Sequence, residues 1–398
     1  MPVSLPSIKK VKNLAGKVVL VRVVFNVPME GKKVADDSRI QASLPTIQYL
    51  VEKKAKVIIA THLGRPDGKV VDSLKLDPVA KRLSSLLKVK VKKMAEVTGP
   101  RVEVTLQKMQ PGEVLMLENV RFSSDEKNET GELSKQLAEY ADVFVLDGFA
   151  VAHRAAASVS GVPRHIPGYA GLLLEREVAG LDTLLHRPKA PFVVILGGAK
   201  METKIPVLKN LLPRATCVLL GGGVINTYFK ARGYGVGDSL LNAEYVSQAL
   251  RYCRNRKAIV PLDVVVGRPD GRKSRIVKVG KKPHTLCEPG EGIFDIGPAT
   301  IELYKSYIQK AKTLVWNGAM GYFEQQPYDT GTLAIARLVA AQSKGKAFGV
   351  VGGGETVQAL EMVHMSDAVD LVSTGGGAML EYLSDEKLPG IEVLKRRT

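Results

Sequence analysis

The sequence predicts an α/β protein with mostly parallel sheets, laid out as two successive lobes. Three observations carry that expectation. Short apolar runs alternate with helical stretches along the chain, the rhythm of strands joined by crossover helices. With 398 residues the chain can bury two full cores. The strand ends also change character midway. In the first half they run into positive side chains: His62 and Arg65 after Val57–Ala60, Arg121 after Val114–Leu117, His153 and Arg154 after Val143–Leu146. In the second half they run into glycine, as at Gly197-Gly198, Gly221-Gly222-Gly223, Gly318, Gly352-Gly353-Gly354 and Gly375-Gly376-Gly377.

Taken in order, Lys17–Phe25 reads as the first strand, and Pro45–Lys53 as a helix leading to strand Val57–Ala60. Leu76–Leu87 is helical and leads to a short strand at Val89–Val91. Strand Val114–Leu117, helix Gly131–Tyr140 and strand Val143–Leu146 follow. A Pro- and Gly-bearing run from Arg164 to Gly171 marks a boundary. Leu172–His186 is then a helix suited to connect two lobes, with Pro188 and Pro191 breaking the chain after it. The rhythm restarts with strand 192–196, helix 202–212, strand 217–220, helices 223–232 and 242–254, and strand 258–260. A basic meander at Gly267–Pro283 looks like an inserted antiparallel hairpin. Helix 298–309, strand 313–316, helix 331–343, strand 348–351, helix 355–363 and strand 370–372 complete the second half. The tail, Ala378–Thr398, is too short for a domain and is expected to pack across one.

Hydrophobic residues make up 45% of the chain and charged residues 24%, the balance of a soluble globular protein. No apolar run approaches the ~18–20 residues of a membrane helix. The N-terminus lacks a signal-peptide core, and the C-terminus carries no lipidation or peroxisomal signal. Cys217, Cys253 and Cys287 are widely spaced, fit a reducing compartment and match no metal pattern. A cytoplasmic protein is expected. The net charge of +17 raises the question of a nucleic-acid partner. The lysines are scattered, however, and no interleaved aromatic motif accompanies them. A basic surface that attracts acidic metabolites is the expected reading, and nucleic acid is not an expected partner.

The motifs narrow the chemistry. There is no GxxxxGK[ST] loop, no GxGxxG after the first strand and no protein-kinase signature. Ligands of open α/β sheets sit beyond the carboxyl ends of the strands. Gly352-Gly353-Gly354-Glu355-Thr356 lies between a strand and a helix. There, helix N-terminal N–H groups can meet phosphate and the carboxylate can help hold Mg²⁺. The same residues could form only a tight turn with a dipole-favoured glutamate. Lys200 and Lys204 are spaced i,i+4 at the start of a helix, where like charges repel unless an anion sits between them. Such cations neutralise the oxygens of a phosphoryl group in transit. In the first half, His62-Leu63-Gly64-Arg65-Pro66 follows a strand, with Arg39, Arg121 and Arg154 at other element ends. Assembling those cations is unfavourable without an anion, and they suit a ligand bearing phosphate and carboxylate. His153 could instead be a structural hydrogen-bond partner. A nucleotide site and a compact-acid site in one chain imply a phosphotransferase with two substrates.

These motifs resemble those of the phosphoglycerate kinase family, nearly end to end. The resemblance rests on Val21-Arg22-Val23-Val24-Phe25-Asn26-Val27-Pro28, His62–Gly68, Leu117–Phe122, Ala152-His153-Arg154-Ala155, Gly197–Lys204 and Gly221-Gly222-Gly223. It continues through Asp295–Pro298, Val315-Trp316-Asn317-Gly318 with Met320-Gly321, Gly352-Gly353-Gly354 and Ser373–Ala378. It implies two Rossmann-like lobes joined by a hinge helix. Residues 1–171 would form the phosphoglycerate-binding lobe, 172–187 the connecting helix and 188–377 the nucleotide-binding lobe, with 378–398 returning to the first lobe. It implies reversible transfer between ATP and 3-phosphoglycerate, giving ADP and 1,3-bisphosphoglycerate with Mg²⁺, by a protein expected to be a monomer. Carried over by position, Asn26, Arg39, His62, Arg65, Arg121 and Arg154 would bind the acid, with Val24, Leu63 and Gly64 at the same site. Lys204 and Glu324 would bind nucleotide, with Gly353, Gly354, Glu355 and Thr356 around its phosphates and Glu355 at the metal. Arg39 and Lys200 would stabilise the phosphoryl group in flight. A carboxylate needs no general base, so positioning and charge stabilisation would suffice, helped by lobe closure that excludes water.

Five positions depart from the family pattern. Val24 stands where an aspartate is usual, Ala150-Val151 where glycine-threonine is usual, Glu355 for aspartate and Ala319 for proline. Val24 removes an acceptor beside the cations and is expected to weaken acid binding by about 1–3 kcal/mol. The intact lysines and arginines argue for a working enzyme. A paralogue with weakened catalysis that serves as a binding or scaffold protein is the alternative.

Overall fold

The structure is a computed structural model and describes residues 3–395. The chain forms two compact units. One holds the chain up to Ala179 together with the segment from Lys387, and the other holds Gly180–Glu386.

In the first unit, β1 (Val18–Arg22) lies inside a sheet and is apolar except at its last residue, the pattern of a strand covered on both faces. A small hairpin, β2 (Met29–Glu30) and β3 (Lys33–Val34), leads to α1 (Ser38–Glu52). The helix starts well before Pro45, which lies inside it rather than at its first turn. Asp36 explains the early start: its carboxylate accepts from the Ser38 N–H at 2.8 Å and from the Ser38 hydroxyl at 2.9 Å. Then come β4 (Lys56–Ala60), α2 (Asp77–Leu87), β5 (Val91–Lys93), α3 (Pro100–Gln107), β6 (Val114–Met116), α4 (Glu132–Glu139) and β7 (Val143–Leu146). Helix α3 was not expected, although Pro100 at its first position is a start signal. The supposed boundary run contains a last strand, β8 (Gly168–Ala170). All six main strands are parallel, in the order β5-β6-β4-β1-β7-β8. Connections leave β1 in both directions, so a topological switch point lies beside it.

Helix α5 (Leu172–His186) follows as expected. In the second unit, β9 (Phe192–Leu196), α6 (Met201–Leu211), β10 (Cys217–Leu220), α7 (Gly222–Ala231), α8 (Val246–Cys253) and β11 (Ala258–Ile259) come first. The basic meander belongs to a three-stranded antiparallel sheet of β12 (Asp263–Gly267), β13 (Arg275–Lys278) and β14 (Gly292–Ile296). It is larger than the hairpin expected. The unit continues with α9 (Pro298–Ile308), β15 (Thr313–Asn317), α10 (Thr330–Ser343), β16 (Phe348–Gly352), α11 (Gly354–Met362), β17 (Leu371–Ser373) and α12 (Gly376–Leu383). Its main sheet is again six-stranded and parallel, ordered β11-β10-β9-β15-β16-β17. The direction of strand addition reverses at β9, the second switch point. Trp316 is wholly buried there, its indole N–H bonded to the Gly318 carbonyl at 3.0 Å. The last helix, α13 (Pro389–Lys395), packs on the first unit, where the Gly390 N–H meets the Ala152 carbonyl at 2.8 Å. Among the described residues no helix is long and apolar enough to cross a membrane.

Candidate active site

Beyond the strand ends of the first unit, Arg22, Arg65, Arg121 and Arg154 line a cavity of about 530 Å³. The loop bearing His62 and Arg65 is clamped by backbone contacts. Asn26 Oδ1 accepts the Gly64 N–H at 2.8 Å, and Arg121 donates to the Gly64 carbonyl at 2.7 Å. Gly64 has φ +65°, and a Cβ there would come within 2.7 Å of Leu74, so the turn requires glycine. Leu63 turns its side chain into the core and only its backbone faces the loop, its carbonyl accepting from Asn119 at 2.7 Å. Arg39, half-buried on α1, donates to the Asn26 carbonyl at 3.1 Å. Val24 is buried at the same strand end, beside Gly148 and Val151.

His62 ties the group together. Burial first, then Arg22, Arg121, Arg154 and Arg39, hold its imidazole well below the usual pKa, so it is neutral. Arg22 lies 3.2 Å from His62 Nδ1. A guanidinium can only donate, so Nδ1 accepts and the proton sits on Nε2. His153 is half-buried, and its Nδ1 finds no hydrogen-bond partner among the described residues.

Arg22 is the residue that sequence reasoning passed over. It is fully buried, donates to the Val23 carbonyl and, through Nε, to Ser158 Oγ at 2.7 Å, and lies 3.9 Å from Glu126 Oε1. Burial brings its pKa down to about 10, against the pull of Glu126. Glu126 is itself pushed up by burial, and accepts from the Ser158 hydroxyl at 2.6 Å and the Ser158 N–H at 3.0 Å. Ser158 sits in a π-helical turn, Ala157–Gly161, a form found often at functional sites. A lone arginine in the apolar run Val18–Val24 was the available signal.

In the second unit the glycine runs at Gly197-Gly198, Gly221–Gly223 and Gly318 converge. A Cβ on Gly197 would run into the Ala319 carbonyl, one on Gly222 (φ +58°) would lie 2.7 Å from Gly198 N, and one on Gly318 would strike Gly197. Their N–H groups are largely engaged by neighbouring loops. Gly198 donates to Ala319 at 2.7 Å, Gly222 to Met320 at 2.9 Å and Gly223 to Gly198 at 2.9 Å. These glycines let three strand ends pack backbone to backbone, rather than offering donors to phosphate. The floor so formed belongs to a mostly apolar cavity of about 410 Å³ lined by Ile225, Leu240, Phe294, Met320, Tyr322 and the carboxylates of Glu324 and Glu355. An apolar pocket with a few polar groups suits a planar base.

Lys204, on α6, is buried and bonds to Asn317 Oδ1. Burial brings its ammonium down to about 8, opposed by Glu355. Lys200 does not share its helical face: it is the exposed N-cap residue, in extended conformation, just before α6. Glu355 is exposed and accepts from the Ala319 N–H at 3.4 Å. Gly353 has φ +102°, and a Cβ on Gly354 would meet nothing within 4 Å, so the start of α11 faces open space. Thr356 is buried, its hydroxyl donating to the Gly352 carbonyl at 2.8 Å and accepting from the Gly318 N–H at 3.2 Å. It braces the turn. Among the described residues no group of three or more His, Cys, Asp or Glu could hold a metal ion.

An arginine-lined cavity at one switch point and, at another, a pocket with a buried lysine behind its Gly198 floor define a two-substrate phosphotransferase of the α/β class. The profile of the phosphoglycerate kinase family matches residues 8–386. The chain is 46% identical over 383 residues to the phosphoglycerate kinase of Thermomicrobium roseum, covering 94% of this chain and 96% of that one. It is 44% identical over 389 residues to that of Pelotomaculum thermopropionicum, covering 96% and 97%. The solved phosphoglycerate kinase of Coxiella burnetii superposes with TM-score 0.85 at 38% identity, covering 99% of this chain and 100% of that one. The chain belongs to the phosphoglycerate kinase family and is an enzyme of that kind.

Proposed function

We propose that this chain transfers a phosphoryl group reversibly between ATP and the carboxylate of 3-phosphoglycerate, with the acid held by the first unit and MgATP by the second. The carrying observation is the convergence of Arg22, Arg65, Arg121 and Arg154 on one cavity with His62 beside it, a cationic cup that an acid with a phosphate would neutralise. Arg65 and Arg154 are the exposed, reaching groups, Arg121 and Arg39 the half-buried ones, and Asn26 and Gly64 shape the wall. Neutral His62 presents an Nε2–H donor to the ligand.

In the second unit, Lys204 meets the nucleotide phosphates, Glu324 borders the pocket, and Gly353, Gly354 and Thr356 set the start of α11 against the phosphates. Glu355 is a suitable single protein ligand for Mg²⁺, an ion commonly bound by one or two carboxylates plus substrate phosphates. When bound there, the ion offsets phosphate charge. The acid's carboxylate is already a nucleophile, so no general base is required. Arg39 and exposed Lys200 are the cations assigned to the phosphoryl group between donor and acceptor. The three cysteines are free and buried, which fits a cytoplasmic protein, and we take the chain to be a monomer.

A coupled assay of ATP consumption with 3-phosphoglycerate and Mg²⁺ tests the reading. Turnover that falls at least about 100-fold in Arg39→Ala is expected, the scale of losing one transition-state charge. Intact nucleotide binding without turnover would instead identify a binding or scaffold protein.

A further inference from the structure

Asp147, at the end of β7, has no part in the chemistry above, yet it is completely buried. Its Oδ1 accepts from the Thr46 hydroxyl at 2.8 Å and from the Leu173 N–H at 3.0 Å. Thr46 Oγ1 in turn accepts the Leu172 N–H at 2.9 Å. Together the two side chains hold the first turn of α5. A Cβ on Gly171 would run into the same carboxylate, so α5 begins in direct contact with it.

The other partner is α1. Arg39, Ser43 and Thr46 follow i, i+4, i+7 spacing and share one face of that helix. Ser43 Oγ and Asp147 Oδ2 are both buried without a hydrogen-bond partner among the described residues. Burial pushes the Asp147 carboxyl up to about 7, partly offset by the Thr46 hydroxyl and the α5 N–H groups. A carboxyl is tolerated here because three chain segments meet on it. The next residue, Gly148, packs against Val24, which the family pattern assigns to the acid site.

We propose that Asp147 is a positioning residue for the acid site, fixing the Arg39-bearing face of α1 against the end of β7 and the first turn of α5. This rests on the reading of Arg39 as an acid-binding group. A carboxylate that served only general stability would shift melting without a selective effect on either substrate.

Steady-state kinetics of the full chain, well below its melting transition, separate the two. Asp147→Ala is expected to raise KM for 3-phosphoglycerate about ten-fold, the scale of a small misplacement of a binding group, and to leave KM for ATP within about two-fold. Asp147→Asn keeps Oδ1 and adds a donor for Ser43 Oγ, so it recovers most of that loss. Thr46→Val, close in shape but without the hydroxyl, moves the same KM and carries the test if Asp147→Ala does not fold. In an Arg39→Ala background, Asp147→Ala adds little further change, because coupled residues are non-additive. Unchanged KM values in Asp147→Ala and Thr46→Val, equal changes for both substrates, or fully additive losses would overturn the proposal. Absence of wild-type turnover would instead sink the functional reading on which it rests.

Discussion

Binding of ATP at pH 8 is expected to draw a proton from the buffer, and Lys204 is the group that takes it. Its ammonium is buried against Asn317 with Glu355 as the opposing charge, and its pKa falls from 10.5 to about 8. That fall corresponds to about 3 kcal/mol of burial cost. Without nucleotide, Lys204 is therefore about half protonated at pH 8, about one-tenth at pH 9 and almost wholly protonated at pH 6.5. Nucleotide phosphates beside Nζ favour the charged form and restore its proton. Uptake should be about half a proton per ATP at pH 8, about 0.9 at pH 9 and near zero at pH 6.5. Titration calorimetry in buffers of different ionisation enthalpy reads the number directly. Lys204→Gln should abolish the uptake while weakening binding. Uptake below about 0.1 at pH 8, or the same uptake in Lys204→Gln, would refute the placement of phosphate at this lysine.

Other expectations follow from the same contacts. Val24→Asp puts a carboxylate two residues beyond Arg22, at the strand end beside Gly148, and should lower KM for 3-phosphoglycerate about ten-fold; no change would show that this position does not touch the acid. Arg22→Met leaves Glu126 buried without its cation and should cost about 3–5 kcal/mol in urea unfolding, with Glu126→Gln in the same chain recovering part of it; a loss under 1 kcal/mol would contradict the buried pair. Gly222→Ala forces the strand-end loops apart and should abolish nucleotide binding while the acid site in the other unit still binds 3-phosphoglycerate, as two separate calorimetric titrations would report. Asp147 titrates near 3.8 when unfolded and at about 7 when folded, so the folded state holds the extra proton in that interval. Its contribution to stability is therefore full below about pH 3.8 and lost progressively as pH rises to about 7, and Asp147→Asn should flatten that slope between about pH 4 and 7 in urea melts.

Both parallel sheets were legible in the chain, because strands buried on two faces read as continuous apolar runs bounded by glycine or charge. Helix α5 was legible for a similar reason, with proline on either flank. Misreadings fell where a local signal had two meanings. Pro45 looks like a helix start, yet Asp36 had already opened α1 upstream. The run before Gly171 looks like a linker, but its three-residue strand gains stability from non-local pairing, with β7 on one side and with Ser7 at Ala170 on the other. In the site, residue types and strand ends pointed to His62, Arg65, Arg121 and Arg154, and the structure brings the three arginines to one cavity, with His62 behind Arg22.

What the residues determined alone was the class of chemistry, since excess guanidinium at successive strand ends is unfavourable without an anion. Tertiary structure decided which of those groups are neutral, which reach solvent and which only hold others in place. Arg22, His62, Lys204 and Asp147 owe their shifted pKa values to removal from water, a property of packing that no neighbour in sequence reveals. The glycines mark the same division: the chain shows where backbone must come close, and only the fold shows that what it approaches is another loop.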